Sequence, residues 1–273
     1  MPATAGQLEE GIDVARTPEG PPPEPAVQRL RLRYAKRGRL RFASHRDFQR
    51  SFERALRRAA VPMAYSAGFS PHPRISYANA APTGAASEAE YLEIGVTRRC
   101  DTEELRAALD EALPPGLDVV EVVEARTPGF AERLQASVWQ VELPGVEPGE
   151  AGSALDAFLA APAVEVQRLT KTGMRTFDAR SAVLRAEVRP EITGDVPGAG
   201  PQGQGGPCAI LQMVVRHTTP AVRPDDVLTG LRSHAHLAPP SSPRMTRLAQ
   251  GPLDEEGGTV ADPLAADRDA DGA

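Results

Sequence analysis

The chain has 273 residues, 41% hydrophobic and 25% charged, with a formal net charge of −6. It can bury one large core or two of ordinary size. No apolar run approaches the roughly 20 residues of a membrane-spanning helix, the N-terminus lacks the basic and apolar regions of a signal peptide, and Cys100 and Cys208 have neither metal-ligand spacing nor a disulfide framework. These features argue against membrane, disulfide-rich secreted and cysteine-cluster classes, and predict a soluble cytoplasmic protein with reduced, buried thiols.

The ends and one internal stretch are set apart by composition. Residues 1–26 hold five acids and one Arg, residues 251–273 seven acids and one Arg, and residues 190–207 are mostly Gly, Pro and Gln. Without an apolar period they predict two disordered acidic tails and a flexible loop. The tails contribute −4 and −6, so residues 27–250 carry +4 (−6 plus 10).

In chain order, residues 27–34 alternate: Leu30, Leu32 and Tyr34 on one face, Arg29, Arg31 and Arg33 on the other, as in a half-buried strand. After a turn at residues 36–39, residues 40–43 read as extended. Ser44-His-Arg-Asp47 is a near capping box, with Asp for the usual Glu. The helix it opens runs to about Ala60, with Phe48, Phe52, Ala55, Leu56 and Ala59 in one stripe and Arg46, Arg50, Arg54 and Arg57 opposite. Strands follow at 74–80 and 90–97, a helix at 101–113 and a strand at 117–125.

That order, β-α-β-β-α-β, is the ferredoxin-like unit. Residues 137–143, 150–161, 164–169, 176–188, 209–216, 223–231 and 242–248 read more loosely as strand, helix, strand, strand, strand, helix and strand. The expectation is an α+β fold of two tandem ferredoxin-like domains, 27–126 (basic) and 137–250.

The charge within the first domain is segregated. Residues 28–60 hold twelve Lys and Arg against Asp47 and Glu53, a net of +10. Eight of the chain's twelve aromatic residues lie between Tyr34 and Tyr91. Arginines beside aromatic rings suit single-stranded RNA, with phosphates on the guanidinium groups and bases on the rings. The expected phosphate contacts are Arg29, Arg31, Arg33, Arg37, Arg39, Arg46, Arg50, Arg54, Arg57 and Arg74. The expected base contacts are Tyr65, Phe69, His72 and Tyr91, with Tyr77 a further stacking candidate. Tyr91, opposite Leu92 in its strand, is expected to be the most exposed. Ser70-Pro-His-Pro-Arg74 is a proline-stiffened loop that would hold His72 and Arg74 toward a ligand. One difficulty is geometric: the helix packs on one sheet face and the strand arginines leave from the other. Either a ligand wraps an edge or only one set is used.

Catalytic signals are sparse. His45 and His72 are the only candidate acid–base groups for RNA cleavage without metal, and no second catalytic group accompanies them. His234 and His236, two apart, are wrongly spaced for shared metal ligation on a helix. No cofactor or metal is implied.

Leu40-Arg-Phe-Ala-Ser-His-Arg-Asp47, Tyr65-Ser-Ala-Gly-Phe-Ser-Pro-His-Pro-Arg-Ile-Ser76 and Ser87-Glu-Ala-Glu-Tyr-Leu-Glu93 resemble a bacterial radical-SAM-associated family of unknown function, a likeness that extends over residues 27–250. It implies work with a separate radical-SAM protein, since the three-cysteine cluster motif is lacking here. The paired ferredoxin-like plan is also similar to the CRISPR repeat-processing endoribonucleases, by fold analogy only. The expectation is an RNA-binding accessory protein, with the radical-SAM enzyme in trans modifying tRNA or rRNA. The alternatives are a metal-independent endoribonuclease and a protein-docking module.

Overall fold

The computed structural model describes residues 23–170, 173–189 and 206–270. Their frame is one eight-stranded mixed sheet. The first half supplies β1 (Gln28–Lys36), α1 (His45–Arg58), β2 (Ile75–Ala78), β3 (Ala86–Val96), α2 (Thr102–Ala112) and β4 (Leu117–Glu124). The second supplies β5 (Ala136–Pro144), α3 (Pro148–Ala160), β6 (Glu165–Thr170), β7 (Gly173–Asp178), β8 (Val183–Arg189), β9 (Cys208–Arg216), α4 (Pro224–Ala235) and β10 (Arg244–Gly251). Strand order is β4-β1-β3-β10-β5-β9-β8, with β2 also on β3. The pairings are antiparallel except β3 with β10, where the halves meet side by side. The two expected domains thus share one sheet.

The elements follow their local patterns. Ser44 caps α1: its Oγ accepts from the Asp47 amide while the Asp47 carboxylate accepts from the Ser44 amide, a complete capping box in spite of the Asp, worth about 1 kcal/mol. Phe48, Phe52, Ala55 and Leu56 are the buried face of α1. Burying each of the large ones contributes about 1.5–3 kcal/mol. Tyr34 stacks on Phe48 with ring centroids 4.3 Å apart. The expected extended run before α1 is instead a 3-10 turn, Gly38–Phe42, held by Leu40 and Ala43 amides that donate to the carbonyls three residues back.

Two cores lie on the same sheet face. One packs α1 and α2 over β1, β3 and β4; the other packs α3 and α4 over β5, β8 and β9. Between them the sheet carries Glu90, in register with Tyr34, and Arg247, in register with Trp139. The expected strand over 176–188 is two strands. β7 pairs back on β6 as a separate hairpin, and the Asp178 carboxylate turns the chain by accepting from the Arg180 and Ser181 amides.

The other face is also covered in the first half. Residues 252–270, expected to be a disordered acidic tail, instead form a hairpin, β11 (Leu253–Asp254) with β12 (Thr259–Val260), and a short helix, α5 (Ala265–Asp269). Leu264 is fully buried with Ala89, Tyr91, Val123, Phe130 and Leu134. The Asp267 side chain is buried against Arg31 and Arg133, and Glu255 and Asp262 pair with Arg216 and Arg268, so this segment is not a solvated tail. The expected tail over 1–26 and loop over 190–207 fall almost entirely outside the described residues. Neither cysteine is in a disulfide among the described residues, and both are half-buried, not buried as expected. No helix among the described residues is long and apolar enough to cross a membrane.

Candidate nucleic-acid interface

The structure divides the expected arginines into two groups with different surroundings. Alternation along β1 sends Arg29, Arg31 and Arg33 to the face away from α1, where carboxylates meet them. Arg29 lies 3.8 Å from Glu93, and Arg33 lies 3.9 Å from Glu121. Arg31 is buried, donates to Glu93 at 3.1 Å and pairs closely with Asp267. Arg37, at the end of β1, pairs with Glu88 and with Asp118 at 2.7 Å, and the Glu88 partnership raises its guanidinium pKa further. Lys36 is buried, and desolvation pulls its ammonium pKa down. Five of the twelve cations in residues 28–60 are thereby matched or buried, and the strand arginines form a neutralised cross-strand network.

The other seven are Arg39, Arg41, Arg46, Arg50, Arg54, Arg57 and Arg58. None has a carboxylate within 4.0 Å among the described residues. They occupy the 3-10 turn and the outer face of α1, opposite its buried stripe. With Asp47 and Glu53 the net charge of residues 38–60 is +5 (seven minus two). Arg46, Arg50, Arg54 and Arg57 recur at helical spacing, so they form one row about 16 Å long. Like charges at i,i+4 cost a few tenths of a kcal/mol each.

Exposed aromatic residues flank that row in the sequence, one just before α1 and others on the segment that follows it. Phe42, just before α1, is 59% exposed, with the Arg41 guanidinium 4.5 Å from its ring centroid. Beyond the C-terminal end of α1 the chain forms a small ribbon. Ala64 donates to Gly95 O, Arg74 to Ala64 O, and Ser66 to His72 O, with a bridge between Tyr65 and Pro73. The prolines therefore sit in a hairpin rooted on β3, not in a loose loop. Its tip carries Gly68, whose φ of +128° needs a residue without a Cβ, and Phe69, 72% exposed. Tyr65 is 41% exposed, and His72 and Arg74 are exposed.

Two expected base contacts are not available. Tyr91 does point opposite Leu92, but it is 3% exposed, with its ring edge against Phe130 and the C-terminal segment over it. Desolvation pushes its hydroxyl pKa far up. Tyr77 is half-buried beneath α1, edge-on to His45 at 4.9 Å. His45 and His72 are both exposed. The His45 ring accepts from the Gln49 amide, and the His72 backbone amide donates to Ser66 Oγ. Neither imidazole has a carboxylate or second acid–base group in hydrogen-bond reach among the described residues.

Sequence patterns gave no sign of the polar seam between the two cores. Glu90 accepts from Arg247 at 3.2 Å and from the Ala81 amide at 2.9 Å. Ser137 Oγ lies 2.7 Å from His217 Nε2, and His217 Nδ1 donates to Leu134 O at 2.6 Å. Burial pulls the His217 imidazole below its usual pKa, consistent with a neutral ring that donates at Nδ1 and accepts at Nε2. Phe42 was missed as well, although its place beside Arg41 and next to a helix start was a usable signal.

No curated protein matches the chain. The family model that matches covers residues 29–224, from β1 to the first residue of α4. A match over that share of the molecule places the chain in the family described as uncharacterized protein conserved in bacteria (DUF2344).

Proposed function

We propose that this protein binds RNA through the outer face of α1, the preceding 3-10 turn and the hairpin at residues 65–73. It serves there as an accessory to a separate radical-SAM enzyme that modifies tRNA or rRNA. The observation that carries the RNA reading is the contrast in pairing. Among the described residues, Arg29, Arg31, Arg33 and Arg37 each have a carboxylate within 4.0 Å, whereas the seven arginines of the 3-10 turn and α1 have none. A polyanion relieves that repulsion, and phosphate oxygens suit guanidinium geometry. The face is narrower than the sequence suggested, since Arg29, Arg31, Arg33, Arg37, Tyr91 and Tyr77 fall outside it. The catalytic alternative at His45 or His72 gains no support from their surroundings.

The strand orders β4-β1-β3-β2 and β10-β5-β9-β8 are each that of a ferredoxin-like unit. We read the sheet as two such units joined through β3 and β10, with β6–β7 inserted in the second. The RNA face then belongs to the helical side of the first unit.

A filter-binding titration tests the charge reading. Affinity for single-stranded RNA should fall steeply with salt, with a log–log slope of about −3 to −4 for some five neutralised phosphates. Arg50→Gln with Arg54→Gln should make that slope shallower by about 1.4. Arg29→Gln should leave it unchanged. Binding that is absent or indifferent to salt would favour docking to an acidic protein instead.

The radical-SAM partner rests on the motif resemblance. Affinity capture from the protein's own cells should retain such an enzyme together with RNA. Recovery of RNA without it would remove the partner and leave the RNA contact standing.

A further inference from the structure

Resting on that RNA reading, we infer that the ligand is engaged as a single strand, with bases unstacked onto Phe42, just before α1, and Phe69, on the hairpin that follows it. The argument starts from what exposed phenylalanine costs. A ring left largely in water forgoes the free energy of burying its apolar surface, and Phe42 and Phe69 are 59% and 72% exposed. Most of the other aromatics of the first half, Tyr34, Phe48, Phe52 and Tyr91, are buried. Phe42 lies beneath Arg41, and Phe69 stands on a ribbon that also carries exposed Tyr65, His72 and Arg74.

The supports of both rings are hydrogen-bonded to the body of the fold. Phe42 ends a hydrogen-bonded 3-10 turn whose Arg41 carbonyl also accepts from the Gly84 amide at 2.8 Å. The Phe69 ribbon is tied to β3 through Ala64, Arg74 and Gly95. Little ordering entropy is then lost when a base stacks on either ring. A duplex keeps its bases paired and stacked internally and can offer such rings only its backbone. An unpaired strand offers a π-face at every base. The Arg41–Phe42 pair adds a flat cation already layered on a ring, a ready surface for a third layer.

The test uses the full-length protein with a labelled 12-nucleotide single-stranded RNA and the same RNA annealed to its complement, at one salt concentration. The single strand should bind at least about tenfold tighter. Phe42→Ala and Phe69→Ala should each weaken single-strand binding about 5- to 100-fold, the range for loss of a stacked base. The weak duplex binding should not change. Arg50→Gln with Arg54→Gln should weaken both. Both phenylalanines are exposed, so circular dichroism and melting should match wild type. Equal affinity for the two forms, with no effect of either phenylalanine, would overturn the inference while leaving a phosphate-binding face in place. Absence of binding to both forms would overturn the RNA reading with it.

Discussion

Asp267→Asn is expected to destabilise the protein by about 3–5 kcal/mol, the cost of breaking a buried ion pair from one side. Asp267 Oδ1 accepts from the Arg126 and Thr127 amides at 3.1 and 3.0 Å and from Thr127 Oγ1 at 2.5 Å. Oδ2 accepts from Arg133 at 3.1 Å and closely from Arg31. An asparagine presents one oxygen and one NH2 to these five donors. It either aims its N–H bonds at other donors or leaves buried Arg31 without an anion. Burial resists ionisation of Asp267, but the hydrogen bonds from Thr127 and Arg31 outweigh it and hold the carboxyl at about 2. This folded value lies below the unfolded one of about 3.9, so the stabilisation is complete above about pH 4 and is lost as pH falls toward 2. Urea unfolding midpoints should therefore drop between pH 4 and 2 in wild type, and the part due to this site, about 2–3 kcal/mol, should be missing in Asp267→Asn. A neutral-pH midpoint equal to wild type would show that the C-terminal segment is not an integral part of the first half.

At the seam, Glu90→Gln should cost about 3–5 kcal/mol, whereas Lys36→Met should change stability by less than about 1.5 kcal/mol. The reason is a count of buried charges. Glu90, Arg247 and Lys36 are all buried, two cations around one anion. Glu90 takes the Arg247 and Ala81 hydrogen bonds. Arg247 also donates to Asn79 O at 2.7 Å and lies 4.9 Å from the Trp139 ring centroid. Among the described residues, Lys36 donates only to the Pro82 carbonyl, at 3.5 Å. Removing Glu90 leaves two cations with no anion, and removing Lys36 leaves a matched pair. Desolvation already pulls the Lys36 pKa down, so its charge is the dispensable one. Guanidinium unfolding of the two variants checks the order. A larger loss in Lys36→Met than in Glu90→Gln would show that the amine anchors the seam.

These two sites also show where sequence reading ends. The strand and helix periods, the Ser44 cap and the buried stripe of α1 depend on residues within a few positions of one another, so they were legible. The 176–188 run was misread because Asp178 reverses the chain through hydrogen bonds to its own turn, a choice hidden in a continuous β-prone stretch. What lay furthest from view depended on partners far apart in the chain: Arg31 with Asp267, 236 positions away, and Glu90 with Arg247, 157 positions away. The strand arginines looked unpaired because their carboxylates come from β3, β4 and the C-terminal helix. Tyr91 looked exposed because the segment covering it lies at the far end of the chain. The arginines of α1 differ in that no carboxylate among the described residues lies within 4.0 Å of them.

Ultraviolet crosslinking of the protein to a single-stranded RNA, followed by mass spectrometry of the peptides, tests the central claim most directly. Crosslinked residues should fall in peptides that cover 38–58 and 64–74, with Phe42 and Phe69 foremost. Crosslinks concentrated on β1, β4 or residues 252–270 would place the RNA on the sheet face whose arginines are already matched, and would contradict the account.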